Sequence, residues 1–126
     1  MLKNQELMQR GRAKLREIDG EQGEQVMAAL ADIAPDLATY IIGFAFGEIY
    51  TRPALNLAQR ELITLALLAA QGGCEKQLRV HIQAALNVGL SREQIVETFI
   101  QGVPYLGFPK VLNAVFVAKE LFAAPK

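Results

Sequence analysis

The chain has 126 residues, of which 52% are apolar and 21% are charged, a length and balance that fit one domain with a substantial core. Thirteen Lys and Arg residues balance thirteen Asp and Glu residues, and the basic residues are scattered singly, so nucleic acid is not expected as a partner. A single cysteine and a single histidine exclude an intrachain disulfide and a thiolate zinc site, so no metal is expected.

The beginning of the chain and its apolar runs predict a soluble, cytoplasmic protein that does not enter a membrane. The segment Lys3-Asn4-Gln5-Glu6 turns polar at once, unlike the apolar core of a signal peptide. The longest strongly apolar run, Leu62 to Ala70, is far shorter than the roughly 20 residues of a membrane helix. Repeats and long linkers are absent from the sequence, so a single domain over 1–126 is predicted. Its surplus of apolar residues favours self-association.

The first third of the chain predicts helices. Apolar residues recur at spacings of three and four, whereas the alternating, β-branched runs of a sheet protein are missing. The first helix is predicted over 3–19, where Gly20 stops it, and the second over 22–33. Pro35 then opens a third helix that runs to about Tyr50, because a residue without an N–H is harmless in a first turn.

The third predicted helix contains two closely spaced glycines and ends before Pro53. Gly43 and Gly47 lie four apart and therefore leave a groove where another helix can approach closely. The helix ends at Thr51-Arg52-Pro53, since the residue before a proline avoids the helical region. Asn56 is predicted to cap a fourth helix over 57–71, which is apolar on nearly every side and is therefore expected to be central.

The second half of the chain completes a predicted bundle of about seven helices. Gly72-Gly73 makes the turn into a fifth helix over 74–88, so the fourth and fifth helices form a central antiparallel hairpin. Gly89 is a left-handed cap, and Ser91 with Gln94 is a capping pair for the sixth helix. Helix-breaking residues precede the last helix: Gly102, Pro104, Gly107 and Pro109.

An acidic and a basic side chain of the hairpin are predicted to lie at the same height. At about 1.5 Å per residue, Glu61 and His81 each lie roughly 15 Å from the Gly72-Gly73 turn on antiparallel neighbours. A carboxylate that holds one ring nitrogen fixes the tautomer and leaves the other nitrogen for proton transfer. Both residues also have a structural interpretation. A lone histidine such as His81 commonly has only a structural role, with its hydrogen bonds made inside the protein. An acidic residue such as Glu61 is favoured in the first turn of a helix by the helix dipole.

Four further residues are site candidates with structural alternatives. Cys74 opens the fifth helix, where an exposed thiol would be activated, although a free cysteine is commonly a small buried apolar residue. Glu48 and Arg52 are four apart, which an i,i+4 ion pair also explains. Tyr105 stands in an irregular Gly/Pro segment, where it either lines a cavity or fills space.

Four motifs in order carry a family resemblance. They are G-E-I-Y-T-R-P (Gly47 to Pro53), R-E-L-I-T-L-A (Arg60 to Ala66), L-R-V-H-I-Q-A-A-L-N-V-G (Leu78 to Gly89) and Y-L-G-F-P (Tyr105 to Pro109). The sequence is similar to the γ-carboxymuconolactone decarboxylase family over about 45–120. The resemblance implies an all-helical subunit that forms a ring-like homo-oligomer, typically a hexamer built as a trimer of dimers, and that needs no cofactor.

One branch of this family decarboxylates γ-carboxymuconolactone, a small unsaturated lactone acid. In an alignment with this branch, His81 takes the position of the family histidine. Glu48, Arg52 and Pro53 fall in a segment whose pattern is an acidic residue, an aromatic residue, Thr, Arg and Pro. Glu61 and Cys74 depart from this pattern towards the second branch of the family. The hypothesis for this chemistry is that His81 donates the proton and Glu61 orients it. Arg52, held by Glu48, would bind a substrate carboxylate, with Tyr105 among the substrate-binding residues.

The alkyl hydroperoxidase D-like branch implies a different chemistry, with a glutamate, a C-x-x-C pair and a histidine. Cys74 matches the first cysteine, His81 the histidine and Glu61, after one inserted residue, the glutamate. Gln77 occupies the position of the second cysteine, so no intramolecular disulfide cycle can run, and Cys74 would need an external reductant. A third hypothesis is a non-catalytic oligomer that binds a small apolar acid.

Overall fold

Every regular element of this protein is helical in its computed structural model, which describes residues 4–124. The elements in chain order are α1 (Asn4–Leu30), α2 (Pro35–Tyr40), a π-helix (Ile41–Ile49), α3 (Leu57–Gln71), α4 (Glu75–Asn87), α5 (Arg92–Gln101), α6 (Val103–Leu106) and α7 (Phe108–Ala123). Because residues 4–124 contain no strand, the all-α prediction is confirmed. Within the same residues, no helix has the length and apolar character needed to cross a membrane.

The chain divides into two compact units, Met1–Leu57 and Ala58–Lys126. The prediction of a single domain over 1–126 stays a prediction, as do the ring-like oligomer and the cytoplasmic location. The predicted start of the first helix at Lys3 lies outside the described residues.

In the first unit, the two predicted N-terminal helices form one element, α1, with a break at Gly20. This residue has φ 61° and ψ −144°, a conformation that a side chain would strongly disfavour. Helical geometry resumes directly afterwards, and an ion pair of 3.2 Å between Arg16 Nε and Glu24 Oε1 spans the break. Gly20 therefore interrupts the helix where the sequence predicted, but no loop separates its two parts.

The third predicted helix differs from the prediction in its hydrogen-bond register. Only Pro35–Tyr40 is α-helical, and Ile41–Ile49 is a π-helix. The N–H of Tyr50 accordingly donates to the carbonyl of Ala45, five residues back, at 2.9 Å. Apolar spacing alone does not separate these two registers, and a π-helix is rare enough that an α-helix was the expected outcome.

The π-helix packs against α1 through glycines. A β-carbon on Gly11 would lie 2.0 Å from the carbonyl oxygen of Ile42, and one on Gly47 would lie 2.9 Å from a methyl carbon of Leu7. A β-carbon on Gly43 would meet α1 side chains only at ordinary contact distance, from 3.5 Å. The predicted groove for a second helix is therefore present, and α1 occupies it.

The second unit has a core contributed by α3, α4, α5 and α7. The buried members of this core include the following residues: Leu65, Ala69, Leu78, Ile82, Ala85, Ile95, Phe99, Val111, Ala114 and Ala118. The short α6 lies between α5 and α7 and ends at Gly107, whose φ of 88° lies in the left-handed region. These helices hold the candidate site in place.

The turn and cap signals of the second unit are confirmed. Gly72 and Gly73 have φ values of 73° and 71°, and Gly89, just after α4, has a φ of 100°. Ser91 Oγ accepts from the backbone N–H of Gln94 at 3.0 Å, and the Gln94 side chain accepts from the Ser91 N–H at 2.9 Å. These local contacts fix where α4 begins and ends and where α5 begins.

Candidate active site

Glu61 of α3 and His81 of α4 form a hydrogen-bonded pair. His81 Nδ1 lies 3.0 Å from Glu61 Oε2 and 3.4 Å from Oε1. A carboxylate only accepts hydrogen bonds, so the contact assigns the ring proton to Nδ1. The predicted approach of these two side chains is therefore present.

The two members of the pair differ in their access to solvent. The Glu61 side chain is 0% exposed and the His81 side chain 20% exposed. A carboxylate withdrawn from water interacts strongly with the one ring that hydrogen-bonds to it, because little solvent screens the contact. The imidazole keeps part of its surface exposed to solvent, whereas the carboxylate does not.

The helix register explains why Glu61 is buried. Glu61, Leu65 and Ala69 follow one another at spacings of four on α3, and all three are buried. Glu61 thus occupies a core position, where an acidic residue is unusual unless it is paired. This register is visible in the sequence and would have predicted the burial as well as the contact.

Cys74 is buried and lies away from the Glu61–His81 pair. It is buried at the N-cap position of α4, and its Sγ lies 3.5 Å from the carbonyl oxygen of Gly72. Seven residues of helix separate it from His81, which is about 10 Å along the axis at 1.5 Å per residue. The structure therefore does not bring the thiol to the imidazole, and Gln77, at the position of the missing second cysteine, is exposed.

The three predicted substrate-binding residues are all exposed. Tyr105, on α6, is 80% exposed, so it does not fill space in the core. Glu48 belongs to the π-helix of the first unit and lines a cleft of about 310 Å³ beside Tyr40 and Phe44. Arg52 follows the π-helix, and its backbone N–H donates to the carbonyl of Ile49 at 3.1 Å. The roles of these residues in binding stay predictions.

The fold and the pair define an all-helical protein in which a buried carboxylate contacts the imidazole of the single histidine. The sequence profile of the carboxymuconolactone decarboxylase family matches residues 35–120. This match spans more than half of the chain, so the protein belongs to the carboxymuconolactone decarboxylase family, as its motifs predicted.

Three similar proteins include two that are named decarboxylases. The chain is 36% identical over 93 residues to a 4-carboxymuconolactone decarboxylase of Acinetobacter baylyi, covering 74% of this chain and 69% of that protein. It is 31% identical over 80 residues to a nitrosuccinic acid decarboxylase of Metarhizium robertsii, covering 64% of this chain and 55% of that protein. It is also 27% identical over 120 residues to an uncharacterized 15.0 kDa protein of Paracoccus denitrificans, covering 94% and 90%.

Proposed function

We propose that the protein is a cofactor-independent carboxy-lyase that removes CO2 from a small unsaturated lactone acid. The observation that carries this proposal is the buried Glu61 carboxylate 3.0 Å from Nδ1 of the partly exposed His81. Membership of the family and similarity to a 4-carboxymuconolactone decarboxylase support the substrate class.

The proposed chemistry needs a proton donor and an electron sink. When the C–CO2 bond breaks, its electron pair passes through the conjugated double bond to the lactone carbonyl, which becomes a dienolate. His81 then gives a proton from Nε2 to carbon, while Nδ1 keeps its hydrogen bond to Glu61. The carboxylate stabilises the imidazolium before the transfer, and water restores the proton afterwards.

The two named decarboxylases support the same flow of electrons. A conjugated lactone carbonyl can accept the electron pair that the departing carboxylate leaves, and so can a nitro group on the carbon that bears the carboxylate. Both acids carry their electron sink within the substrate. The protein would have to desolvate the departing carboxylate, stabilise the developing oxyanion and return a proton.

In this proposal the exposed residues bind the substrate. Arg52 holds a substrate carboxylate with its planar fork of donors, Glu48 orients Arg52, and Tyr105 offers its hydroxyl to the substrate. All three side chains are exposed and therefore open to a ligand from solvent.

Exposed apolar stripes support the proposed homo-oligomer. On α7, Phe108, Leu112 and Phe116 lie four apart, and on α3 so do Ile63 and Leu67, each at least 46% exposed. Single exposed apolar residues are ordinary, but aligned ones mark an interaction surface. We expect copies of the chain to cover these stripes in a dimer and a trimer of dimers. Sedimentation velocity should give a hexameric mass, which Leu112→Lys lowers, whereas a monomer in the wild type would contradict the oligomer.

Turnover of 4-carboxymuconolactone tests the enzymatic proposal. The wild-type protein should release CO2, and His81→Ala should lower kcat by roughly 10²–10⁴-fold, the usual contribution of a positioned proton donor. Gln77→Ala is the matched control, because Gln77 is exposed on the same helix, and it should keep wild-type turnover. A His81→Ala protein with full turnover would remove the basis of the proposal.

The two other hypotheses stay predictions. The burial of Cys74 and its contact with Gly72 do not favour exchange with an external thiol or peroxide. Peroxide reduction that Cys74→Ala abolishes, with no release of CO2 from the lactone, would replace the carboxy-lyase proposal by the thiol hypothesis. Binding without any turnover would favour the non-catalytic oligomer.

A further inference from the structure

A second concave site lies in the second unit, where the end of α4, the start of α5 and the end of α7 meet. This cleft has a volume of about 580 Å³, within the roughly 300–1,000 Å³ range of small-molecule sites. Neither Glu61 nor His81 lines it, so it is distinct from the candidate active site. Its walls combine four apolar and three nitrogen-bearing side chains: Leu86, Leu121, Phe122, Ala124, Gln83, Asn87 and Arg92.

Arg92 gives this cleft a positive charge. Its guanidinium carbon lies 5.0 Å from the centre of the Phe122 ring, and this cation–π contact holds the planar group against the wall. Among residues 4–124, no carboxylate forms an ion pair with Arg92. A positioned guanidinium without a carboxylate partner presents the planar array of donors that binds a carboxylate in two places.

The remaining lining favours an anion with an apolar body. Gln83 Nε2 donates to Asn87 Oδ1 at 3.0 Å, so the two side-chain amides hold each other in position. No acidic residue among residues 4–124 lines the cleft. Glu93 and Glu97 line an adjoining depression, and Arg92 and Phe122 form part of the wall of both cavities. Leu86, Leu121 and the ring of Phe122 provide apolar surface on which a flat hydrocarbon can pack.

We propose that this cleft binds a small organic acid with a flat apolar body. The carboxylate lies on the Arg92 guanidinium, and the apolar part packs against Phe122 and Leu86. The proposal does not depend on the carboxy-lyase activity, because it rests on a separate set of residues.

Benzoate is the simplest probe of this chemistry, and its binding to the full-length protein can be followed by ¹H–¹⁵N NMR. We expect saturable shifts of the Gln83 and Asn87 side-chain amides and of Arg92 Nε, with a Kd on the order of 1 mM or tighter for so small a ligand. Benzamide, which has the same ring without the charge, should bind at least about tenfold more weakly.

Matched variants distinguish specific binding of benzoate in the cleft from its general attraction to positively charged side chains. Arg92→Gln should weaken benzoate binding about tenfold or more, and Arg92→Lys, which keeps the charge but loses the planar fork, should weaken it less. Arg79→Gln removes an arginine that is paired with Glu120 on the surface of α4 and should leave binding unchanged. His81→Ala should also bind benzoate normally, which keeps this test independent of turnover.

Several results would overturn the proposal. Benzoate shifts that do not saturate, that map away from the cleft, or that persist in a folded Arg92→Gln protein would each contradict it. Equal losses in Arg92→Gln and Arg79→Gln would show attraction to surface charge only.

Discussion

The α3–α4 turn of the second unit and the α1–π-helix contact of the first unit use glycine in opposite ways. Gly73 of the turn has a φ of 71° and nothing within 4 Å of the position where a β-carbon would stand. Gly11 and Gly47 have no positive φ, but a β-carbon on either would lie 3.0 Å or closer to a neighbouring atom. The turn therefore needs the backbone freedom of glycine, whereas the helix contact needs its small size.

The comparison separates two different reasons why a position requires glycine, and each reason has its own cost in folding free energy when glycine is replaced. A side chain in the turn strains its own backbone, a local cost that neighbours do not change. A side chain in the helix contact pushes a packed helix away, a cost set by atoms distant in the sequence. Substitutions at these glycines should therefore differ in size and in which replacement relieves the loss.

Gly11→Ala should have the largest effect on stability. Its β-carbon would stand 2.0 Å from the Ile42 carbonyl oxygen, so α1 and the π-helix must separate. We expect a loss of about 3 kcal/mol or more in the free energy of unfolding, at the upper end for overpacking. Urea unfolding at fixed protein concentration measures this loss, and a change within the error of the wild type would show that the two helices do not need the close approach.

Gly47→Ala should lower stability, whereas Gly43→Ala should not. A β-carbon on Gly47 meets Leu7 at 2.9 Å, whereas one on Gly43 finds neighbours only from 3.5 Å. We expect Gly47→Ala to lose about 1–2 kcal/mol and Gly43→Ala, the matched control, to be neutral or to gain about 0.5 kcal/mol from reduced backbone entropy. Urea unfolding of both variants measures these changes in the free energy of unfolding. Equal losses at both positions would refute the steric explanation.

Gly73→Ala should show the smaller, conformational cost. We expect a loss of about 1 kcal/mol for an alanine in the left-handed region, and a smaller loss for Gly73→Asn, because asparagine tolerates that region better. The ratio of the two losses is the informative measurement. If alanine and asparagine cost the same, backbone strain is not the cause.

Local chemistry explains which parts of the fold were predictable. The Gly72-Gly73 turn and the Ser91–Gln94 cap are determined by a few neighbouring residues, so the sequence indicated both of them. The π-helix was missed because apolar spacing does not distinguish it from an α-helix, and the role of Gly11 was missed because its neighbour, Ile42, is remote in sequence. No spacing rule carries that information.

The candidate site was predictable to the extent that helix geometry determines it. Equal distances from one tight turn placed Glu61 and His81 side by side, and the structure has them 3.0 Å apart. The burial of the Glu61 carboxylate follows from the spacing of four that it shares with Leu65 and Ala69. The choice of Nδ1 and the burial of Cys74 depend on tertiary packing, which spacing does not encode. Binding by Arg52, Glu48 and Tyr105 still rests on the family pattern.

The most direct test of the central claim is the protonation pattern of the imidazole in solution. The chain contains one histidine, so a long-range ¹H–¹⁵N spectrum shows a single ring without ambiguity. If Glu61 orients His81 for proton transfer, the neutral ring should carry its proton on Nδ1, and Glu61→Leu should abolish that preference. A neutral ring with its proton on Nε2 in the wild-type protein, or one that Glu61→Leu leaves unchanged, would contradict the account.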